Sequence, residues 1–389
     1  MLFSASYLQA QEVFNKEAIY EKGEEHLLDN ALIQMEATAA VNDMYNFKFE
    51  KAALQFGWFK EKYPNHPLPY FLLGLNEWWK IMPNSDVEIY DDTFLSYMDL
   101  SIDKARDLYQ KDAENAEAAF FLAAAYAFKS RLHAERKHWA RATFTGKSSL
   151  KFLRKGKETE DLSPELLLGD ALYNYYSVWI PENYPMLKPI LLLFRKGDQR
   201  LGLEQLKEVT QNAFYTRTEA QYFLMRIYRT DEKKPEEALV IAEYLNKTFP
   251  DNACFHRYYA STLYSLGRTA ELERVSLDIL QKIDAQMIGY EGISGRYAAY
   301  YMAFVQMSKY QNPSKAQEYY QRTIDFSEQT DHLDSGYYHS ALQQKAQYAH
   351  SQKNYKEAKK YYTLLKQHTK SKDKKHKEAK KYLKQYKKY

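Results

Sequence analysis

Small and apolar residues recur at helical spacing in two distant stretches that end alike. In "AALQFGWFKEKYPN", Ala52 to Asn65, an alanine is followed one turn later by Phe56, and an aromatic residue stands directly before Pro64. "ALVIAEYLNKTFPD", Ala238 to Asp251, repeats the order with Ala242 and Pro250, and a turn-forming Asn or Asp follows the proline in both. Each proline lies the same distance beyond its alanine. The pattern predicts helix pairs that cross at the small residue, with proline closing the second helix because it drives the residue before it out of the helical region.

The residues beyond each proline fit the same plan. "PLPYFLLGLNEWW" supplies Leu73 and Gly74 for close helix contact, and "CFHRYYASTLYSLGR" supplies Ala260, Leu263 and the turn residue Gly267. Further copies are carried by Ala316 and Tyr320, and by Ala358, Tyr362 and Leu365. Fainter ones surround Ala105 and Tyr109, and Leu122, Ala123 and Tyr126 in "FFLAAAYAF". On these residues the chain resembles the tetratricopeptide repeat superfamily, whose repeat is about 34 residues. That resemblance implies an all-α fold, a single right-handed α-α superhelix of degenerate helical hairpins.

Spacing between copies is irregular. Trp78 to Asp92, around Met82-Pro83-Asn84, and His133 to Gly202 do not fit the period, and insertions in such arrays map to one face, often the binding face. The expected organisation is therefore a possible remnant of a secretory signal over 1–10, repeats over 11–114, an irregular helical insertion region over 115–210, repeats over 211–369 and a lysine-rich terminal helix or tail over 370–389. In the middle, a basic helix is followed by "SPELLLGDALYNYYSVWIPENYP", a short leucine run in "PILLLF" and "GDQRLGLEQL". Over roughly residues 115–250 this order is similar to a group of bacterial tetratricopeptide proteins and, more distantly, to the eukaryotic tetratricopeptide family that includes the inclusion-body clearance protein. The resemblance implies fold and not a reaction, since sites and not folds carry chemistry.

Composition agrees with an array of helices. The 389 residues are 45% hydrophobic with only 13 Gly and 11 Pro, so turns are few. Thirty-six Tyr and 20 Phe supply rings to fill the space between hairpins that pack only on neighbours. Net charge is +4, too small for a global field. Lysines crowd the stretch from Lys366 to Tyr389, where they form either a polar cap on the stack or an attachment to an anionic membrane or nucleic acid, with Tyr382, Tyr386 and Tyr389 interleaved. Cys254 is the single cysteine and reads as a buried, inert thiol. "MLFSASYLQAQ" has the small apolar character of the end of a bacterial secretory signal, with cleavage after Ala10, but lacks a basic n-region. The expected location is periplasmic or cell envelope if that segment is a truncated signal, and cytoplasmic otherwise.

No residue set calls for catalysis, a cofactor or a metal. His133 and His138 lie five apart, about 500° around a helix, where zinc ligands on one face are four apart. Asp198 after Gly197 reads as a helix cap, and the pairs Asp91-Asp92 and Glu236-Glu237 read as acids at helix starts. The candidate surface is polar and aromatic. Arg131, Arg136, Trp139, Arg141 and Lys147 are expected on one helix pair, facing Asp170, Tyr173, Tyr176 and Trp179 on the next, with Arg195, Asp198 and Arg200 closing the end. The same residues also admit a purely structural reading, in which Arg141 or Arg200 pairs with Asp170 or Asp198. The expected function is a non-enzymatic scaffold that binds a protein or peptide partner.

Overall fold

The structure, a computed structural model, describes residues 26–155, 164–185, 188, 195–386 and 388. Residues 1–10 with their signal-like sequence, and the apolar run 189–194, lie outside the described residues. Among the described residues every element is helical: α1 (Ala31–Tyr45), α2 (Phe49–Lys62), α3 (Pro67–Ile81), α4 (Asp91–Lys111), α5 (Ala116–Glu135), α6 (Trp139–Lys155), α7 (Pro164–Asn183), α8 (Gln199–Asn212), α9 (Arg217–Arg226), α10 (Pro235–Thr248), α11 (Ala253–Ser265), α12 (Thr269–Asp284), α13 (Gly292–Ser308), α14 (Pro313–Gln329), α15 (Gly336–Ser351), α16 (Tyr355–His368) and α17 (Lys374–Gln385). Most consecutive helices pack on each other, as the expected all-α array of helical hairpins requires.

The chain divides into two compact units. The first comprises Met1–Ile81 with Ser85–Leu224, and the second Met82–Asn84 with Met225–Tyr389. In each unit the small residues singled out by pattern lie in the core. Ala52, Ala105, Ala238, Ala316 and Ala358 are all fully buried, and the residues one turn on, Phe56, Ala242, Tyr320 and Tyr362, are buried with them. The two opening stretches agree in detail: α2 and α10 are each 14 residues long. They end at Tyr63 and Phe249, whose backbones share the same non-helical conformation just before proline.

Turns are closed by the main chain. Phe47, Lys137, Gly267 and Lys353 take left-handed conformations after a first helix. The amide of the next residue then bonds back across the turn, from Lys48 to Asp43 O at 2.8 Å, His138 to His133 O at 2.8 Å, Arg268 to Leu263 O at 3.0 Å and Asn354 to Ala349 O at 2.9 Å. This is the Schellman closure, with an L-residue at three of the four positions where glycine is the usual occupant. Helix starts are capped by short polar side chains: Asn30, Asn115, Asp198, Asn252, Asn312, Ser335 and Asn354 each accept first-turn amides.

In the second unit the core is a tyrosine lattice. Tyr264 stacks on Tyr301 at 4.7 Å, Tyr337 meets Tyr300 at 4.8 Å and Tyr297 at 4.9 Å, and the Tyr301 and Tyr337 hydroxyls bond at 3.0 Å. Cys254 is buried there and burial pushes its thiol up to about 11, so it stays protonated and unreactive. The lysine-rich α17 packs through Ala379 and Tyr382, with the Tyr382 ring 4.3 Å from Tyr362 and 4.5 Å from Tyr386, while Lys377, Lys380, Lys381 and Lys384 are exposed. No helix among the described residues is long and apolar enough to cross a membrane.

Candidate functional site

The residues expected to form one surface separate, within the first unit, into three environments. The first is a chain of rings and cations joining α3, α5, α7 and α9. The Arg131 guanidinium lies over Trp78 at 4.6 Å and over Phe223 at 5.4 Å. Phe223 meets Tyr176 at 6.5 Å, Tyr176 meets Trp179 at 5.9 Å, and Trp179 meets Tyr184 at 5.9 Å. Tyr176 and Trp179 are three apart on α7, so they share a face, and Phe223 of α9 links them to Arg131.

The second environment is a cavity of about 870 Å³. Its walls are apolar side chains of α3, α5, α6 and α7, Phe71, Phe120, Phe128, Leu150 and Leu153 among them, and it is also lined by the predicted residues Asp170, Tyr173, Tyr176 and Arg195. The Tyr173 hydroxyl donates to the Arg195 carbonyl. Two glycines allow α8 and the segment of chain before it to lie against α7. A Cβ on Gly202 would stand 2.7 Å from Ala171 O and Tyr175 N, and one on Gly197 would stand 2.7 Å from Asn174 Cα and O. Gly197 is thus demanded by close approach to α7, with its amide donating to Ser177 Oγ at 3.0 Å.

The cavity is also lined by Glu219, a residue that no sequence pattern singles out. Its Oε1 accepts from Trp79 Nε1 at 2.9 Å, and its Oε2 has no hydrogen-bond partner among the described residues. Burial pushes its carboxyl up to about 7, against the opposing pull of Arg131 and the Trp79 bond. Nearby, buried Glu165 gathers the turn before α9, accepting from the amides of Phe214, Tyr215 (3.0 Å) and Thr216 (2.9 Å) and from Thr216 Oγ1 (2.7 Å). Burial raises its carboxyl too, and these bonds hold it back. Glu117, at the matching second position of α5, accepts from Leu27 and Leu28 amides at 3.1 and 2.8 Å. Burial lifts it as well, but bonds from His26 and His66 bring it below the ordinary carboxylate value.

The third environment is solvent. Trp139 is 64% exposed and Phe144 71% exposed on α6, and Arg141 and Lys147 of the same helix are exposed as well. Arg200 is exposed and pairs with Glu204 at 3.1 Å, while Asp198 caps α8 through bonds from the Arg200 and Leu201 amides at 2.9 and 3.1 Å. Arg136 belongs to none of the three. Its guanidinium binds both oxygens of Asp91 at 2.6 and 2.8 Å, the Val87 carbonyl at 3.1 Å and the Ser85 carbonyl. It therefore clamps the loop that the period could not accommodate, and Asp91 serves as its partner as well as standing in the first turn of α4. His133 and His138 approach to 6.3 Å between ring centroids. Burial and the cations Lys129 and Arg141 hold His133 below the usual imidazole range.

Sequence carried one signal for the cavity. "FFLAAAYAF" on α5, which reads as a faint repeat in the sequence, supplies Phe120, Phe121, Ala123, Ala124, Ala127 and Phe128 to the lining.

No family model matches the chain and no curated protein is similar to it in sequence. Solved structures similar to it include a human IFIT1 dimer with PPP-AAAA, at 12% identity over 82% of this chain and 68% of that one, with a TM-score of 0.38. They also include the TPR domain of P58(IPK), at 15% identity over 92% of this chain and all of that one, with a TM-score of 0.25. At these scores the helical-hairpin fold rests on the packing of this chain itself.

Proposed function

We propose that the protein is a non-enzymatic scaffold whose α6 face binds a partner protein through an acidic segment carrying apolar anchors. The observation that carries this reading is the solvent exposure of Phe144, three residues from both Arg141 and Lys147 and so on their side of the helix, on a helix whose sequence contains no acidic residue. A large aromatic ring left in water next to a guanidinium is the composition of a binding hot spot, and a basic surround favours an acidic complement. Trp139→Ala with Phe144→Ala leaves the core untouched. In cells, a photo-cross-linker at Phe144 of the full chain should capture one dominant protein, and that protein should disappear from the Arg141→Glu, Lys147→Glu variant; capture indifferent to both substitutions removes this face from the reading.

The cell-envelope setting is supported by the signal-like sequence of residues 1–11 alone, and fractionation of the native chain tests it. A second reading, attachment of the lysine-rich end to an anionic surface, is favoured by the row of exposed lysines on α17. Its tyrosines are engaged in packing, so removing the whole end would also expose core. Lys377→Glu with Lys381→Glu is the cleaner test, and vesicle or nucleic-acid binding that survives it argues against this reading.

A further inference from the structure

The cavity of the first unit has the size and lining of a small-molecule site. Ligand sites run to roughly 300–1,000 Å³, mostly apolar with a few placed polar groups, and this one measures about 870 Å³. Charge along its lining is arranged by depth. Lys188, Arg195 and Lys196 are exposed, with Glu182 as the opposing exposed acid, whereas the buried charged residues are the acids Asp170 and Glu219. An anionic group is attracted to the exposed end and repelled from the interior, and the interior offers phenylalanine and leucine to an alkyl chain.

We propose that this cavity binds a single-chain amphipathic anion of the long-chain fatty-acid class, with the alkyl chain among Phe71, Phe120, Phe128 and Leu153 and the acidic head at Lys188, Arg195 and Lys196. The inference is independent of the partner surface on α6. A free carboxylate and the phosphate head of a single-chain lipid share the chemistry that these cations recognise.

The test uses the full chain and displacement of a fluorescent polyene fatty acid by dodecanoate, tetradecanoate, hexadecanoate, hexadecan-1-ol and lysophosphatidylglycerol. Saturable 1:1 binding is expected, tightening about fourfold per added methylene until the cavity is filled. Arg195→Glu with Lys196→Glu should weaken the acid at least tenfold and leave the alcohol unchanged. Ala127→Phe, at an exposed position on the lining, should weaken acid and alcohol alike while the far-UV melt is retained, and Ala124→Phe provides a second filling variant. A tighter complex with hexadecanoate than with the lysophospholipid assigns the free acid, and the reverse assigns the lipid. Non-saturable uptake, affinity indifferent to chain length, an alcohol bound as tightly as the acid, or filling variants that bind normally would each overturn the proposal.

Discussion

In the second unit the tyrosines of α11, α13 and α15 meet ring to ring, and two of them join hydroxyls at 3.0 Å. In the first unit the phenylalanines of α3 and α5 meet one another at 5.6 to 6.4 Å and also border open space. Both regions are built of aromatic rings on stacked helices. One difference is the polar atom: the Tyr301 and Tyr337 hydroxyls satisfy each other and hold their rings together, whereas phenylalanine brings no such bond and, with Tyr173 and Tyr176, borders the apolar space. Ring content alone therefore does not say whether a hairpin stack is filled or hollow.

The comparison breaks most visibly if rings are removed. Tyr301→Ala is expected to cost about 3–5 kcal/mol, and Phe128→Ala, which already borders the cavity, roughly 1–2 kcal/mol, read from urea unfolding of the full chain. Equal losses would mean that the cavity wall is as tightly packed as the lattice. Adding volume sharpens the contrast from the other side. Ala303→Phe, at a fully buried site, should destabilise by about 1–3 kcal/mol, while Ala124→Phe at the cavity should change stability by less than about 1 kcal/mol.

One buried group in each unit weakens it on opposite sides of neutrality. Glu219 has its carboxyl raised to about 7, so its contribution is present below the unfolded carboxylate value and is lost as pH rises through about 7. Glu219→Gln keeps an acceptor for Trp79 and should stabilise the protein at pH 8 by on the order of 2 kcal/mol, with little effect at pH 4.5. In the second unit, burial with Lys282 nearby pushes His256 down to about 3. It therefore stays neutral although Asp278 lies 3.6 Å away, and accepts or donates a bond with Tyr290 at 3.0 Å. Its contribution is present above the unfolded imidazole value and lost as pH falls below it, so a melt between pH 7 and 4 should drop less in His256→Asn than in the parent chain. Superimposable pH profiles for parent and variants would remove these two groups from the account. The smallest effect is at a turn: Lys353→Gly relieves a left-handed L-residue and should add about 0.5–1 kcal/mol.

Local features were legible in the sequence. Ala52 and Ala238 could be placed in the core because the requirement for a small residue repeats at fixed distance from proline, and Asp198 could be placed at a cap because its partners are two and three residues away. The partners of Trp79 and Arg136 were not legible. Glu219 is 140 residues from Trp79, and the loop and Asp91 are about 50 from Arg136, so no spacing rule relates them. The expected single Arg, Tyr and Trp surface mixed both kinds: Arg131, Tyr176 and Trp179 converge through Phe223, while Trp139, Arg141 and Lys147 turn to solvent on α6. Which face of a helix meets a distant helix depends on the order of packing, and that order is written in no local window.

The turns at Phe47, Lys137, Gly267 and Lys353 are each tied across by an amide-to-carbonyl bond. A copied or deleted hairpin would therefore carry that fastening with it, since the bond across the turn needs no particular side chain. Recombination at these points could lengthen or shorten the array without redesigning a junction, leaving the helix-crossing positions as the places where an exchanged hairpin would be rejected or kept.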